Sequence, residues 1–293
     1  MIADALAYSS LLALSSLGLA LCIVTTRVDN FAHADYLTVG AYTALFVSHL
    51  LHVTPYLAVP ASMLVSGALA ALSYAVVFEP LRRHGLVTLM IASMALDVVL
   101  RACLGMLADW AQSVLGIYAR GFIFKDMRIR LLGNELEAYP ILAPTLTAGA
   151  LLLLYLVLYH TKLGVKMRAV AENAELAEVL GVNSRRTLLV SWFLAGALAG
   201  AAGALLPFRV VVSPDTGTFI LLTLFASVTL GGLHSLAGAV LGAYVIGFSE
   251  TLLTYYLASA GLSTAYRPLL AFAVIASTLL VRPEGLSSLW RRR

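Results

Sequence analysis

Polar side chains that could hold a small solute occur at three places in an otherwise apolar chain. The densest group is TTRVDNFAHADY, residues 25–36, which combines one cation, two acids, an amide and an imidazole. Asp97 and Arg101 form a second group, and Glu250 stands alone in IGFSETLL. Ionisable residues inside apolar segments usually mark a functional path, because lipid makes them costly. Residues 25–36 are therefore either a solvated loop or an irregular segment that lines such a path.

The two smaller groups leave different alternatives. Asp97 and Arg101 are four residues apart and so share one helix face, which predicts a structural ion pair directed at another helix. Pairing lowers the cost of about 2.5–3.5 kcal/mol for such a residue at the centre of a membrane helix. Glu250 has no local partner, so a role in the path and a hydrogen bond to a neighbouring helix both remain open.

Catalytic and metal chemistry are not indicated. No His or Cys cluster has metal-ligand spacing, and no nucleophile lies near a His and an acid along the sequence. No Gly-x-x-x-x-Gly-Lys-Ser/Thr phosphate loop occurs either. We predict a protein that is not an enzyme, holds no metal or other cofactor and does not bind nucleic acid.

The composition indicates a membrane protein. Of 293 residues, 61% are hydrophobic and 12% charged, against about 25% charged in soluble domains. Several uncharged runs approach the ~20 residues that a spanning helix needs, and two-residue alternation is absent. We predict an all-α, polytopic fold of eight or nine transmembrane or re-entrant helices in one domain, 1–293. The predicted helices are 5–25, 36–52, 57–78, 86–106, 140–160, 187–206, 217–231, 235–257 and 267–281.

Basic residues cluster at one set of helix ends. The clusters are Arg82 to His84, then Lys162 to Arg186, then Arg282 with Arg291 to Arg293. The positive-inside rule places them in the cytoplasm, with the N-terminus outside and the C-terminus inside. The segment at 217–231 is short for a crossing, so a span and a re-entrant segment both remain open. An external loop is expected at about 108–139.

A polar segment at 161–186 interrupts the apolar pattern on the cytoplasmic side. Asn173 is a good N-cap and Gly181 a good C-terminal stop, which predicts a two-turn helix between them. Its apolar residues Leu176, Val179 and Leu180 share one face. Glu175 and Glu178 on another face would be repelled by anionic lipid, so a socket in a partner protein is favoured over the membrane surface.

The same segment resembles a known family. ELAEVLG at 175–181 is similar to the Glu-Ala-Ala-x-x-x-Gly loop of ATP-binding-cassette (ABC) importer permeases. LGVKMRAVAENAELAEVLGVNSRR, NFAHADYLTVGAY, GGLHSLAGAVLGA and LLVRPEGL resemble the branched-chain amino acid permeases, and the NFAHADY form resembles their LivH-type subunit.

The resemblance implies a role for each polar group. It implies coupling to a separate ATPase through the residues Arg168, Glu175, Leu176, Ala177, Val179, Leu180 and Gly181. It implies a substrate path that includes Asn30, Phe31, His33, Asp35 and Glu250, with Asn30 and His33 as hydrogen-bonding groups and Asp35 attracting an ammonium group.

The implied partners are a LivM-type permease or a second copy, two ATPases that bind ATP, an external or periplasmic binding protein, and the bilayer of a bacterial or archaeal inner membrane. Two alternatives remain: an ion-coupled secondary transporter that uses Asp35, Asp97 or Glu250 as proton carriers, and an importer permease for urea or short amides.

Overall fold

The computed structural model describes residues 2–131, 134–261, 263, 267–281 and 285–286. Within these residues twelve α-helices and two strands follow one another along the chain. They are α1 (Ile2–Thr26), α2 (His33–Leu51), α3 (Val59–Ser73), α4 (Glu79–Leu81), α5 (Leu86–Leu115), β1 (Arg128–Leu131), β2 (Asn134–Glu137), α6 (Tyr139–His160), α7 (Lys162–Glu172), α8 (Ala174–Val179), α9 (Ser184–Leu205), α10 (Thr216–Gly231), α11 (Leu236–Ser259) and α12 (Arg267–Val281).

The predicted all-α membrane fold is confirmed, and each of the nine predicted helices has a counterpart. Among the described residues, six helical segments are long and apolar enough to cross a membrane. The 16 residues of α10 correspond to about 24 Å, which is less than the ~30 Å hydrocarbon core. Arg282 and Arg291 to Arg293, on which the cytoplasmic C-terminus was predicted, lie outside the described residues.

One predicted helix is part of a longer helical segment. Residues 55–84 stay helical throughout, with a π-helical turn at Tyr74–Phe78 between α3 and α4. In this turn the Glu79 amide donates to the Tyr74 carbonyl, five residues earlier. Pro80 follows and has no amide hydrogen to donate, which favours a local departure from the α-helical pattern.

The core is organised around α1. Nearly all of its side chains are buried, and it packs against α6, α9 and α11. By contrast, few side chains of α5 and α6 are buried, although both helices are apolar. The chain therefore has a packed centre and an exposed apolar periphery.

Helix α9 approaches its neighbours through glycines, as its LAGALAGAAGALL sequence predicts. A Cβ atom built on Gly196 would lie 2.6 Å from the Ser66 carbonyl oxygen, and one on Gly200 would meet the Ser62 carbonyl. Ser62 in turn donates a hydrogen bond to the Gly40 carbonyl on α2, at 2.9 Å. These contacts fix α2, α3 and α9 as one unit, because small residues let helix backbones approach in a membrane.

The segment between α5 and α6 contains more regular secondary structure than predicted. Helix α5 continues to Leu115 instead of ending near 106, and β1 pairs antiparallel with β2. Arg120 holds Asp109 through two hydrogen bonds of 2.6 and 2.7 Å, which raise the pKa of Arg120 above its usual value. RIRL alternates between polar and apolar residues, so the sequence carried a signal for the first strand of the hairpin.

We expect the contact at Gly200 to be sensitive to one methyl group. Gly200→Ala should lower stability by about 1–3 kcal/mol, because the added Cβ overpacks the contact with α3. The measurement is the melting temperature of the purified protein in detergent. Gly149→Ala on α6 is the matched control, since a Cβ there meets nothing within 4 Å. Equal melting temperatures for the two variants would contradict the packing role.

Candidate functional site

Residues 27–32, between α1 and α2, form an irregular segment inside the bundle. The chain leaves α1 through Arg27, which has a left-handed φ of 57°. Ser93 on α5 then holds the segment, because its hydroxyl accepts a hydrogen bond from the Phe31 amide and lies at 3.3 Å from the Asp29 carbonyl. Irregular backbone at membrane depth requires such partners. The structure thus limits the irregular part to 27–32 and puts His33 in the first turn of α2.

Asn30 and Phe31 face different surroundings. Asn30 is fully buried, and its side-chain oxygen accepts from the Ala32 amide at 3.1 Å. This bond stabilises the entry to α2, whose N-cap residue makes no side-chain hydrogen bond of its own. Phe31 is partly exposed and packs on Phe225 of α10, with ring centroids 5.1 Å apart. Phe31 therefore presents a surface that a solute could reach, and Asn30 does not.

His33 connects α2 to the central helix. Its Nε2 lies 3.0 Å from the Ser15 carbonyl oxygen of α1, and the ring packs edge-on against Tyr36. A Cβ on Gly18 would lie 3.1 Å from the His33 ring, so the glycine makes room for it. The geometry gives His33 a packing contact between helices, and its predicted contact with substrate stays a prediction.

Three charged side chains from α2 and α5 meet beside the start of α10. Asp35 is fully buried, and its Oδ1 would lie 2.5 Å from a Cβ on Gly217, so its carboxyl packs directly on the first turn of α10. The Asp97 carboxyl lies close enough to Asp35 to interact with it electrostatically. Arg101 is 4.0 Å from Asp97 and donates to the Thr218 hydroxyl at 3.1 Å. The predicted Asp97–Arg101 proximity is thus extended into a charged cluster with Asp35.

Glu250 on α11 is enclosed by hydroxyl groups. The Tyr8 hydroxyl donates to its Oε2 at 3.2 Å, and the Thr223 hydroxyl donates to its Oε1 at 2.7 Å. The carboxyl is almost fully buried. These bonds tie α1, α10 and α11 together, which corresponds to the structural alternative stated for this residue; its place in the substrate path stays a prediction.

An open, mixed-charge cavity lies next to the irregular segment. Its volume is about 400 Å³, and it lies between the end of α1, the last turns of α7 and the loop before α11. It is lined by Val24, Arg27, Arg168, Ala171, Glu172 and His234. His234 also lies within electrostatic reach of Asp29. The cavity therefore extends from the polar segment at 161–186 towards residues 27–32.

The polar segment at 161–186 is built as its capping residues predict. The Asn173 side chain accepts from the Leu176 amide at 3.0 Å and begins α8, while Gly181 has a φ of 84° just after it. Asn183 caps α9 by accepting from the Arg186 amide at 2.9 Å. The sequence analysis did not predict α7, although Thr161 caps it by accepting from the Gly164 amide.

The predicted coupling residues divide into exposed and buried ones. Leu176, Val179 and Leu180 are 56%, 83% and 74% exposed, so the apolar face of α8 points away from the chain. Ala177 is buried beneath them. Arg168 contacts its own chain instead: it donates to the Leu158 carbonyl at the end of α6 and lies over the Tyr159 ring.

Two partners of the polar groups were not predicted from the sequence: Ser93, which holds the irregular segment, and Thr218, which accepts a hydrogen bond from Arg101. Ser93, Asp97 and Arg101 are spaced by four and lie on one face of α5, a signal that could have linked the irregular segment to the ion pair. Thr218, the partner of Arg101, carries no such signal, because it lies 117 positions away along the chain.

No metal centre is found in the described part of the chain. No group of three or more His, Cys, Asp or Glu side chains there is arranged to hold a metal ion. Cys22 is buried in α1 and Cys103 is exposed on α5, and both are free thiols.

Comparison with known proteins identifies relatives along the whole chain. The family model described as branched-chain amino acid transport system / permease component matches residues 1–279. A probable branched-chain amino acid transport permease protein LivH from Methanocaldococcus jannaschii is 38% identical over 293 residues, covering 98% of this chain and 92% of its own. The high-affinity branched-chain amino acid transport system permease protein LivH of Escherichia coli is 26% identical, covering 94% and 90%.

A solved structure shares the fold. PsaBC from Streptococcus pneumoniae in complex with Fab matches with a TM-score of 0.52 and 12% identity, over 98% of this chain and 94% of that chain. At this identity the likeness shows the fold alone. The family match over residues 1–279 and the 38% identity along nearly the full length show that the protein belongs to the branched-chain amino acid transport permease family.

Proposed function

We propose that the chain is the membrane subunit of an ABC importer that moves branched-chain or related small amino acids into the cytoplasm. Two separate ATPase subunits bind ATP and drive alternating access, and this chain supplies the path. The observation that carries the proposal is the exposed apolar face of α8, formed by Leu176, Val179 and Leu180. Such a face is stable in water only when a partner covers it.

The short helix is held firmly enough to act as a mechanical part. Six residues cannot form a stable helix alone. Asn173 caps α8, and the helix is tied to the following turn because the Val182 amide donates to the Ala177 carbonyl at 2.9 Å. The Ser184 hydroxyl also donates to the Ala174 carbonyl, at 3.3 Å. A partner that pushes on α8 therefore displaces the start of α9.

Charge favours a protein socket over lipid for α8. Glu175 and Glu178 are exposed beside the apolar face. An anionic cytoplasmic leaflet would repel these carboxylates, whereas a groove with basic residues at its rim would attract them. This supports an ATPase groove as the partner surface.

Helix packing supplies a route from the socket to the path. Helix α9 begins at the capped end of the cytoplasmic segment and contacts α2 and α3 through Gly196 and Gly200. Helix α2 carries Asp35 in its first turn. Because closely packed helices move as units, a displacement of α8 reaches the charged cluster.

The exposed face of α5 supports a second permease beside this one. Asp97 and Arg101 lie near the middle of this helix and are partly exposed. Charged residues at this depth face a bundle interior or a water-filled space and not lipid. We propose that a LivM-type permease or a second copy of this chain covers the face, so that the path lies between the two.

The positions of the basic residues support an orientation for the chain and a docking surface for its outer partner. Arg27 and Arg82 line one cavity with Glu172 and Glu175, so these basic residues share a face with the cytoplasmic segment. This supports a cytoplasmic inner face and an external N-terminus at the opposite end of α1. The segment that comprises residues 116–131 and 134–138 is then external and offers a surface on which a substrate-binding protein can dock.

Two exposed leucines on α8 test the coupling. Leu176→Asp combined with Leu180→Asp should abolish co-purification of the ATPase subunits, because two charges replace the apolar contact, while the permease still inserts. The measurement is the ratio of ATPase to permease after affinity purification. Leu176→Met with Leu180→Met keeps the apolar surface and serves as the matched control. Undiminished co-purification of the Asp variant would remove α8 from the coupling surface.

The energy source tests the class of transporter. Vesicles that contain the full complex and its binding protein should accumulate leucine only with internal ATP, and an uncoupler should leave the initial rate within about twofold because no ion gradient is used. Removing the ATPases should abolish uptake. Uptake that continues without them and collapses with the uncoupler would show an ion-coupled carrier instead.

A further inference from the structure

Two carboxyl groups with unused acceptors lie against each other in the charged cluster. Neither oxygen of Asp35 receives a hydrogen bond from the described residues, and the same holds for Oδ1 of Asp97. Asp35 is fully buried. Two carboxyl groups side by side and largely shielded from water repel each other when both are charged, and a cation placed between them would remove that repulsion. A primary ammonium group would supply one positive charge and three N–H donors.

Unmet acceptors are not a general property of acids in this protein. Glu250 is equally buried, yet the Tyr8 and Thr223 hydroxyls donate to its two oxygens. The fold therefore does satisfy a buried carboxylate where the carboxylate serves packing. The absence of donors around Asp35 distinguishes it from a purely structural acid.

Arg101 offers the opposite charge at the exposed side of the cluster. Its guanidinium is 4.0 Å from Asp97, which is too long for a hydrogen bond, and within the described residues it makes one bond, to Thr218. Because guanidinium has five donors, most remain available for a planar carboxylate. The Arg101 side chain is 32% exposed and that of Asp97 14%, so the cluster opens at the surface of α5.

An apolar wall adjoins the charges. Thr218 and Phe225 lie seven residues apart on α10 and so share one face. Phe31 packs on Phe225, and its amide donates to Ser93, one turn before Asp97 on α5. The facing sides of α5 and α10 therefore carry opposite charges near Arg101 and two aromatic rings about two turns away along α10.

We infer that these facing sides of α5 and α10, together with Asp35, form the amino-acid recognition site of the permease. The carboxyl groups of Asp35 and Asp97 bind the α-ammonium group, Arg101 binds the α-carboxylate, and Phe31 with Phe225 contacts the apolar side chain. The inference rests on the proposed function and deepens it, because Asp97 and Arg101 become residues that contact substrate. Arg101 can balance one of the two carboxyl charges, so an uncharged sugar or amide would leave the second without a counter-charge.

Ligand protection of a nearby thiol tests the site directly. The reporter is Thr218→Cys, at an exposed position beside Arg101, in full-length protein that also carries Cys22→Ala and Cys103→Ala and is purified with its associated subunits. L-leucine should slow labelling by a thiol reagent. 4-Methylpentanoate lacks the ammonium group and 3-methylbutylamine lacks the carboxylate, so neither should protect at the same concentration. Equal protection by either compound, or no protection by leucine, overturns the inference.

Variants then assign the two charges. Asp35→Asn or Arg101→Gln should raise the leucine concentration for half-maximal protection by about tenfold or more, since each removes a charge-assisted contact. Arg101→Lys retains the charge and should fall between Arg101→Gln and the parent protein, which separates binding from a folding defect. Glu79→Gln makes the same acid-to-amide change at the Glu79–Arg185 ion pair and should protect normally. Unchanged protection in Asp35→Asn and Arg101→Gln overturns the assignment.

The proposed function and this site fail in different experiments. If the unaltered complex shows no ATP-driven leucine import, the proposed function is contradicted. Thiol protection requires no transport, so it still tests whether leucine binds at this site. Normal import with unchanged half-saturation in Asp35→Asn and Arg101→Gln overturns the site and leaves the importer intact.

Discussion

Backbone contact between α9 and its neighbours α2 and α3 is the interaction on which the rest of the structure depends. Lipid removes the hydrophobic drive for helix association, so close packing of small residues must supply the specificity. Gly196 and Gly200 allow that approach, and Ser62 adds a hydrogen bond to the Gly40 carbonyl. This contact sets the position of α2 and hence the position of Asp35 beside α10.

Glu250 and Asp35 are both buried acids, but the first serves helix packing and the second is proposed to bind substrate. Glu250 is surrounded by donors from α1 and α10, which makes it an internal link between helices. Asp35 receives no hydrogen bond from the part of the chain that the structure describes, and it lies near another carboxyl group. The difference lies in the partners that the fold provides, because a desolvated carboxylate is costly until a donor or a cation compensates it.

The polar segment at 161–186 has a well-defined backbone path and an apolar surface that the rest of the chain does not cover. Caps at Asn173 and Asn183 and the left-handed Gly181 determine the path of the chain through α8 into α9. The apolar side chains of α8 nevertheless point outwards, with Val179 83% exposed. A segment of this kind is suited to transmit a displacement, because its geometry is set before any partner binds.

Local chemistry in the sequence was sufficient to predict most of the helices and several of the contacts within them. Apolar runs of about 20 residues determine spanning helices, since every backbone group in lipid must be bonded internally. The caps of α8 and α9 and the spacing of Asp97 and Arg101 are also local, so the sequence predicted them. Helix α7 and the β1–β2 hairpin were missed although Thr161 and the alternation in RIRL signalled them.

The tertiary structure alone decided which polar groups meet. Arg101 and Thr218 are 117 positions apart, and Tyr8 and Glu250 are 242 apart, so no periodicity in one segment can pair them. The sequence also could not predict that, among the described residues, Asp35 receives no hydrogen bond whereas Glu250 receives two. This difference depends on which helices pack around each carboxyl group. Sequence determined the helices, the caps and the family likeness; packing determined which charges are satisfied and which remain open to a ligand.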